Sequence, residues 1–339
     1  MKIAKELRDI FSAAEERYKR LATEVRDTLK TRVEERGWFF ASRVKGLESF
    51  ALKVETGRVP DPTAVEDFFG CTIVVPTIPE IAVAEAFVAE HYNGKARRPV
   101  NDKSTKKNSY SFQFDDLRLY VSRDALPSGR NPDLDGLIFE VQIKTILQHA
   151  WSIATHDLIY KSDSVSWPRE RIAFQVKAML EHAEIAIAEA NSLSASPAVA
   201  KADERSISVG KVLTALKEIW DQERLPNDVK RLAETVNDLM KTCYLPPQRL
   251  AEIVEAEVAR VGALPTDLSP YSFIVQAIAH TADVDFKKQL DRGKTKIVIH
   301  GGMELPDWML QPNAKIIRID APVVAPADVV EAAPGAGAK

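Results

Sequence analysis

The run Phe139-Glu140-Val141-Gln142-Ile143-Lys144-Thr145 constrains this chain more than any other stretch. Apolar and polar residues alternate along it. Phe139, Val141 and Ile143 fall on one face of a strand, and Glu140, Gln142 and Lys144 on the other. An antiparallel strand with a solvated face gives the same alternation. The sequel points elsewhere. Gln148-His149-Ala150-Trp151 and His156-Asp157-Leu158-Ile159-Tyr160-Lys161 follow at once and read as one helical stretch. A carboxylate, an amide and a cation on a strand that feeds such a helix form the floor of a site.

Composition narrows the classes. A chain of 339 residues is long enough for two domains. The net charge of −3 predicts no general affinity for nucleic acid or an anionic membrane. Cys71 and Cys243 are too few for a disulfide framework or a zinc cluster. His149 and His156 lack a third nearby Cys or His, so zinc is not expected there. The charged N-terminus has no signal-peptide apolar core, and no run approaches the ~18 apolar residues of a membrane span. A cytoplasmic protein with no membrane partner is expected.

Periodicity predicts a long helix over residues 2–36, with Ile3, Leu7, Ile10, Ala14, Tyr18, Leu21, Val25 and Leu29 as its apolar stripe and Gly37 as its stop. Such a stripe packs on its own domain; Ala14 and Tyr18 make a poor coiled-coil seam. A second helix is expected from Arg43 to Val54, a buried strand over Phe68–Val75 stopped by Pro76, and a helix over 80–92. Residues 110–114 and 117–121 read as a hairpin around Asp115-Asp116. Residues 124–136 read as an exposed loop, and helices are expected near 146–159 and 169–193. Residues 191–202 read as a linker. Helices near 208–223, 227–242, 246–261 and 270–290 follow, then short strands at 296–300 and 315–319 and a disordered tail. The fold class is α+β: a small mixed sheet flanked by helices, then a mainly helical C-terminal part with two short strands. The expected domains are an N-terminal helix (1–36), a site-bearing domain (37–195), a helical domain of unreadable function (204–320) and the tail (321–339).

The strand and its helix resemble the synthetase domain of the RelA/SpoT family, the enzymes that make the alarmone (p)ppGpp in the stringent response. That domain has a Glu-hydrophobic-Gln-Ile-Arg/Lys-Thr strand followed by a His-Ala-Trp helix ending in Tyr-Lys. Three further blocks resemble it in order. Arg43, Lys45, Ser49 and Lys53 match Arg-x-Lys-x3-Ser-x3-Lys. The run from Asp67 to Val74 is similar to Asp-x-x-Gly-x-Arg-Ile-Val. Lys106-Lys107-Asn108-Ser109-Tyr110 is similar to Lys-x-Asn-Gly-Tyr. The resemblance covers residues 39–161, less than half of the chain.

The resemblance implies a sheet of the nucleotidyltransferase-like synthetase type and transfer of pyrophosphate from ATP to the 3′-hydroxyl of GDP or GTP. It implies Mg2+ held by Asp67 and Glu140, with Glu140 as ligand or general base; hard oxygen ligands suit that ion. It implies a donor-nucleotide site with Arg43 on adenine and Lys45 and Lys53 near phosphate, where a planar guanidinium suits stacking. Ser49, Lys106, Asn108, Gln142, Lys144 and His149 are the other nucleotide-binding candidates, and Tyr110 matches the tyrosine that stacks on the acceptor guanine. Residues 95–107, with Lys95, Arg97, Arg98, Lys103, Lys106 and Lys107 against Asp102, read as a basic loop that is either a phosphate clamp or an ordinary solvated loop. His156-Asp157 mimics the family's hydrolase motif, but the residues before Phe39 contain no histidine. Hydrolase activity is therefore not expected.

Thr72 stands where the family has Arg, Ser109 where it has Gly, and Phe112 and Phe114 where it has Ser and His. These changes remove phosphate donors and leave three functions open. They are (p)ppGpp-type synthesis, toxin-like pyrophosphorylation of the tRNA 3′ CCA end, and a nucleotide-binding sensor without turnover. ATP and a guanine nucleotide are the expected partners; tRNA and a second copy of the chain stay open.

Overall fold

A computed structural model describes residues 2–59, 61–63, 65–103, 105, 107–109, 112, 116–125, 129–155 and 165–319. The chain divides into two compact units, Met1–Val199 and Ala200–Lys339.

In the first unit the periodic N-terminal stretch is one helix, α1 (Lys5–Glu35), whose Tyr18, Leu21, Val25, Leu29 and Val33 are buried. Gly37 follows it at φ +73°, the left-handed conformation that glycine adopts freely at a helix end. The chain then forms β1 (Phe39–Val44), α2 (Leu47–Glu55), β2 (Phe69–Val75), α3 (Pro79–Ala89), β3 (Asn93–Arg98), β4 (Leu117–Ser122), β5 (Phe139–Thr145) and α4 (Ile146–Ala154). Two helices follow, α5 (Trp167–Ala188) and the short α6 (Ala190–Ser194), which lies where a linker is expected.

The strands make one mixed sheet in the order β1-β2-β5-β4-β3. Only β2 and β5 run parallel; the other neighbours are antiparallel. One face is apolar. Phe69, Cys71, Ile73 and Val75 of β2 and Phe139, Val141 and Ile143 of β5 join residues of α1 and α3 in a single core. Each such side chain contributes about 1.5–3 kcal/mol by leaving water.

Three expectations for this unit are corrected. Arg43–Val54 is not one helix: β1 pairs with β2 as far as Val44, and α2 starts only at Leu47, after Gly46. The basic run begins on a strand, because Lys95, Arg97 and Arg98 lie on the edge strand β3. The antiparallel partners of β4 are β3 and β5, so the predicted hairpin is not its pairing. Residues 110, 111 and 113–115 of that hairpin, with Phe114, lie outside the described residues, as do His156 and the tail. The 124–136 loop is also less exposed than expected. Leu134 is fully buried, and Arg123 donates to Glu24 and Asp135, at 2.6 Å each, tying the loop to α1.

The second unit holds α7 (Glu204–Ile219), α8 (Val229–Thr242), α9 (Arg249–Val261), α10 (Pro270–His280) and α11 (Phe286–Arg292), with β6 (Ile297–His300) pairing in parallel with β7 (Ile316–Ile319). These elements enclose a separate apolar core that includes Leu216, Val236, Leu250, Phe273 and Leu290. The single helix expected over 270–290 is two, because Asp285 caps a new start by accepting from the Lys288 N–H. No described helix is long and apolar enough to cross a membrane.

Candidate functional site

The second face of the five-stranded sheet is polar, and the strand register builds it in rows. One row runs Arg43, Gly70, Glu140, Tyr120; the next runs Ala41, Thr72, Gln142, Arg118, Arg98. A cleft of about 680 Å3 opens over the β1–β2–β5 part of this face. Arg43, Lys45, Ser49, Asp67, Gly70, Thr72, Glu140, Gln142, Lys144 and His149 line it.

Asp67 stands just before β2. The next residue, Phe68, is buried among Phe11, Tyr18 and Phe50, with ring centroids 4.7–5.7 Å apart. The Lys45 N–H donates to the Phe68 carbonyl at 2.8 Å. Backbone and aromatic packing thus hold Asp67 at the cleft edge. Its carboxylate faces two ammonium groups, Lys45 Nζ at 2.9 Å and Lys53 Nζ at 2.8 Å. Burial pushes the Asp67 carboxyl up, but Lys53 and Lys45 outweigh it and hold it below the ordinary carboxylate value.

Glu140 is 6% exposed at the cleft floor. The Tyr120 hydroxyl donates to Oε2 at 2.9 Å, and Gln142 Nε2 donates to Oε1. Arg118 adds a cation 3.8 Å from Oε2. Lys144, also buried, lies 3.5 Å from Asp116. His149, on the first turn of α4, touches Phe39 at 5.8 Å between ring centroids. Burial, and then the Lys144 cation, lower its pKa, so at neutral pH it is an uncharged hydrogen-bonding group. The start of α4 is fixed by a capping box: the Thr145 hydroxyl accepts from the Gln148 N–H, and the Gln148 side chain accepts from the Thr145 N–H.

The structure therefore brings Arg43, Lys45, Ser49, Asp67, Glu140, Gln142, Lys144 and His149 to one cleft, with Lys53 reaching Asp67. Arg43 arrives on β1 and Lys45 on the connection after it, so they share no helical face with Ser49 and Lys53. Asn108 is exposed, and Lys106 and Tyr110 lie outside the described residues. Of the basic run, Arg97 is held by Glu85 at 2.6 Å, whereas Arg98 lies over the Tyr120 ring. Sequence reading passed over Tyr120 and Arg118, placed Arg98 only in the basic run and read Asp116 only as a turn residue. The signal for the first two was present: Leu117, Leu119 and Val121 alternate inward, which turns Arg118 and Tyr120 to the Glu140 face. It also passed over Lys177 of α5, buried with its ammonium 4.6 Å from the Trp151 ring, where burial brings its pKa down to about 8.

The donor set bears on the metal. Among the described residues no three His, Cys, Asp or Glu side chains are grouped to hold an ion. Two carboxylates, Asp67 and Glu140, line the same cleft. A small hard cation is commonly held by one or two carboxylates and completed by substrate phosphates and water. The residues thus fit a divalent ion shared with a nucleotide.

Residues 42–165 match the family model described as "Region found in RelA / SpoT proteins". This segment holds the cleft residues named above, from Arg43 to His149. Among solved structures, the small alarmone synthetase 1 from Bacillus subtilis is similar at 16% identity and TM-score 0.45, over 54% of this chain and 97% of that one. The same synthetase bound to its product pppGpp is similar at 17% identity and TM-score 0.43, over 53% and 95%. A GTP pyrophosphokinase family protein from Streptococcus pneumoniae is similar at 14% identity and TM-score 0.41, over 55% and 93%. No curated protein matches the chain.

Proposed function

We propose that the first unit is a cytoplasmic, Mg2+-dependent pyrophosphokinase that transfers pyrophosphate from ATP to the 3′-hydroxyl of GDP or GTP. The observation that carries the reading is Glu140, held by Tyr120 and Gln142 at the floor of a cleft rimmed by Arg43 and Lys45, inside the segment that matches the RelA/SpoT region.

In this reading the acceptor's 3′-oxygen attacks the β-phosphorus of ATP. A new P–O bond forms, the bond from the β-phosphorus to the α-phosphate bridging oxygen breaks, and AMP leaves. Glu140 takes the hydroxyl proton as the oxygen attacks. Lys45 and Lys53 exchange part of their contact with Asp67 for the triphosphate, and Arg43 offers a flat cation to the adenine. Asp67 and Glu140 would hold Mg2+, which supplies neutralisation of phosphate charge. The row from Thr72 through Gln142 to Arg118 supports phosphate binding without the arginine expected at Thr72. A cation, Arg118, stands two strands further along the same row.

The test is incubation of the full chain with β,γ-labelled ATP, Mg2+ and GDP, GTP or tRNA in parallel. Label on the guanine nucleotide is the expected result. Label on tRNA alone moves the acceptor to the CCA end. ATP binding with no label on any acceptor leaves a nucleotide sensor and ends the enzyme reading.

A further inference from the structure

We infer that Tyr120 is the positioning residue for the Glu140 carboxylate, and that Arg98 sets the Tyr120 ring in place. This deepens the proposed function and rests on it for its catalytic meaning.

Tyr120 sits directly across from Glu140 in the antiparallel β4–β5 register. Its hydroxyl donates to Glu140 Oε2 at 2.9 Å, while Gln142 occupies Oε1. A carboxylate pinned at both oxygens has one orientation. The lone pairs left over are the ones that can accept the acceptor's proton, and geometry comes before acidity in a general base. Tyr120 is itself fixed from the other side. The Arg98 guanidinium lies 4.5 Å from the ring centroid and donates from Nη1 to the hydroxyl oxygen at 3.3 Å. That contact directs the hydroxyl proton toward Glu140, because the oxygen's other side is already accepting a bond. Arg98 is anchored in turn by Glu66 at 3.4 Å. Glu66, Arg98 and Tyr120 thus form a chain of contacts that ends on one oxygen of the Glu140 carboxylate, while Gln142 holds the other.

Two measurements on the full chain test this. The first is kinetic: Tyr120→Phe keeps the ring and removes the hydroxyl. Hydrogen bonds to charged groups predict a kcat loss of about 10- to 100-fold, with both KM values nearly unchanged. Wild-type kcat in Tyr120→Phe overturns the inference, as does a rise in KM at unchanged kcat, which would make the ring a substrate-binding surface. The second needs no activity. The Tyr120 phenol is followed by NMR with tyrosine labelled at Cζ, the resonance being the one absent from Tyr120→Phe. In Glu140→Gln the Tyr120 Cζ resonance should move at neutral pH, because the hydroxyl loses its charged acceptor. An unmoved resonance overturns the inference whatever the activity. A moved resonance in a protein that transfers pyrophosphate to no acceptor upholds the contact and removes the proposed function instead. Arg98→Gln gives a variant on the exposed rim. It should lower kcat less than Tyr120→Phe does, and a larger loss would place Arg98 on the substrate instead.

Discussion

Two carboxylates on one cleft are held in different ways, and that difference predicts different behaviour. Glu140 accepts hydrogen bonds from neutral donors, a phenol and an amide. Glutamine at this position keeps the shape, and its carbonyl can still accept from Tyr120 if the Gln142 amide turns over. Glu140→Gln should therefore change stability by no more than about 1 kcal/mol. As it can take no proton, it should lower turnover by about 100- to 10,000-fold. Turnover within about tenfold of wild type would deny Glu140 the role of base. Asp67 instead balances two lysine ammoniums. Its folded pKa is depressed below the ordinary 3.8, so its stabilising contribution is complete above that value and is lost as pH falls through the lower, folded one. Melting temperatures of the wild type and Asp67→Asn, followed down from neutral pH, should converge in the acid range below about pH 4. Parallel curves would mean that the two lysines do not hold Asp67 in solution. Both residues could be picked out in the sequence, yet their partners could not. A strand's neighbour is set by register, so Tyr120 became visible beside Glu140 only once β4 and β5 were paired.

Elements were legible where apolar periodicity was strong. The stripe of α1 and the alternation of β5 read through directly, because burial on one face leaves period 3.6 or period 2 in the sequence. The run Asn93–Arg98 carries no such signal. It is a charged edge strand, paired on one side only, and edge strands are commonly protected by charge rather than by apolar residues. The helix expected from Arg43 starts only at Leu47: Lys45, Ser49 and Lys53 recur every four residues, and that spacing survives a strand-to-helix change at Gly46. The junction of β5 and α4 was legible only as a boundary. What it does physically is join α5 to the site. Thr145 caps α4 through the Gln148 N–H and also donates to the buried Glu184 of α5. Burial raises the Glu184 carboxyl, so losing a donor there weighs most where that group is charged. Thr145→Val removes both bonds and should destabilise the chain by about 2–4 kcal/mol at neutral pH, and less at acid pH. Thr145→Ser keeps the hydroxyl and should recover most of this. Chemical denaturation of the two variants at two pH values makes the comparison, and equal losses in Val and Ser would assign the effect to the missing methyl packing instead.

At the scale of the molecule, the first unit contains every residue that lines the cleft, and the two apolar cores share no residue. The second unit contributes no motif that sequence reading could attach to chemistry. Its buried charge is internally matched: Glu257 is 3% exposed and accepts from Arg260 and Gln276. Such a network specifies a fold as readily as a site, which is why its role was not legible. A unit with its own core and no cross-membership should fold alone. A chain ending at Val199 is therefore expected to unfold in one cooperative transition, to bind ATP, and to keep kcat for pyrophosphate transfer within about threefold of the full chain. The measurement is a denaturation curve and a labelled-ATP assay on the truncated and full proteins side by side. A truncated protein that fails to fold would place part of its stability in the second unit. One that folds and binds ATP but transfers nothing would make the second unit a requirement for acceptor binding, and the acceptor KM of the full chain would then be the quantity the second unit sets. Faster transfer after truncation would have the opposite meaning, a second unit that restrains the first.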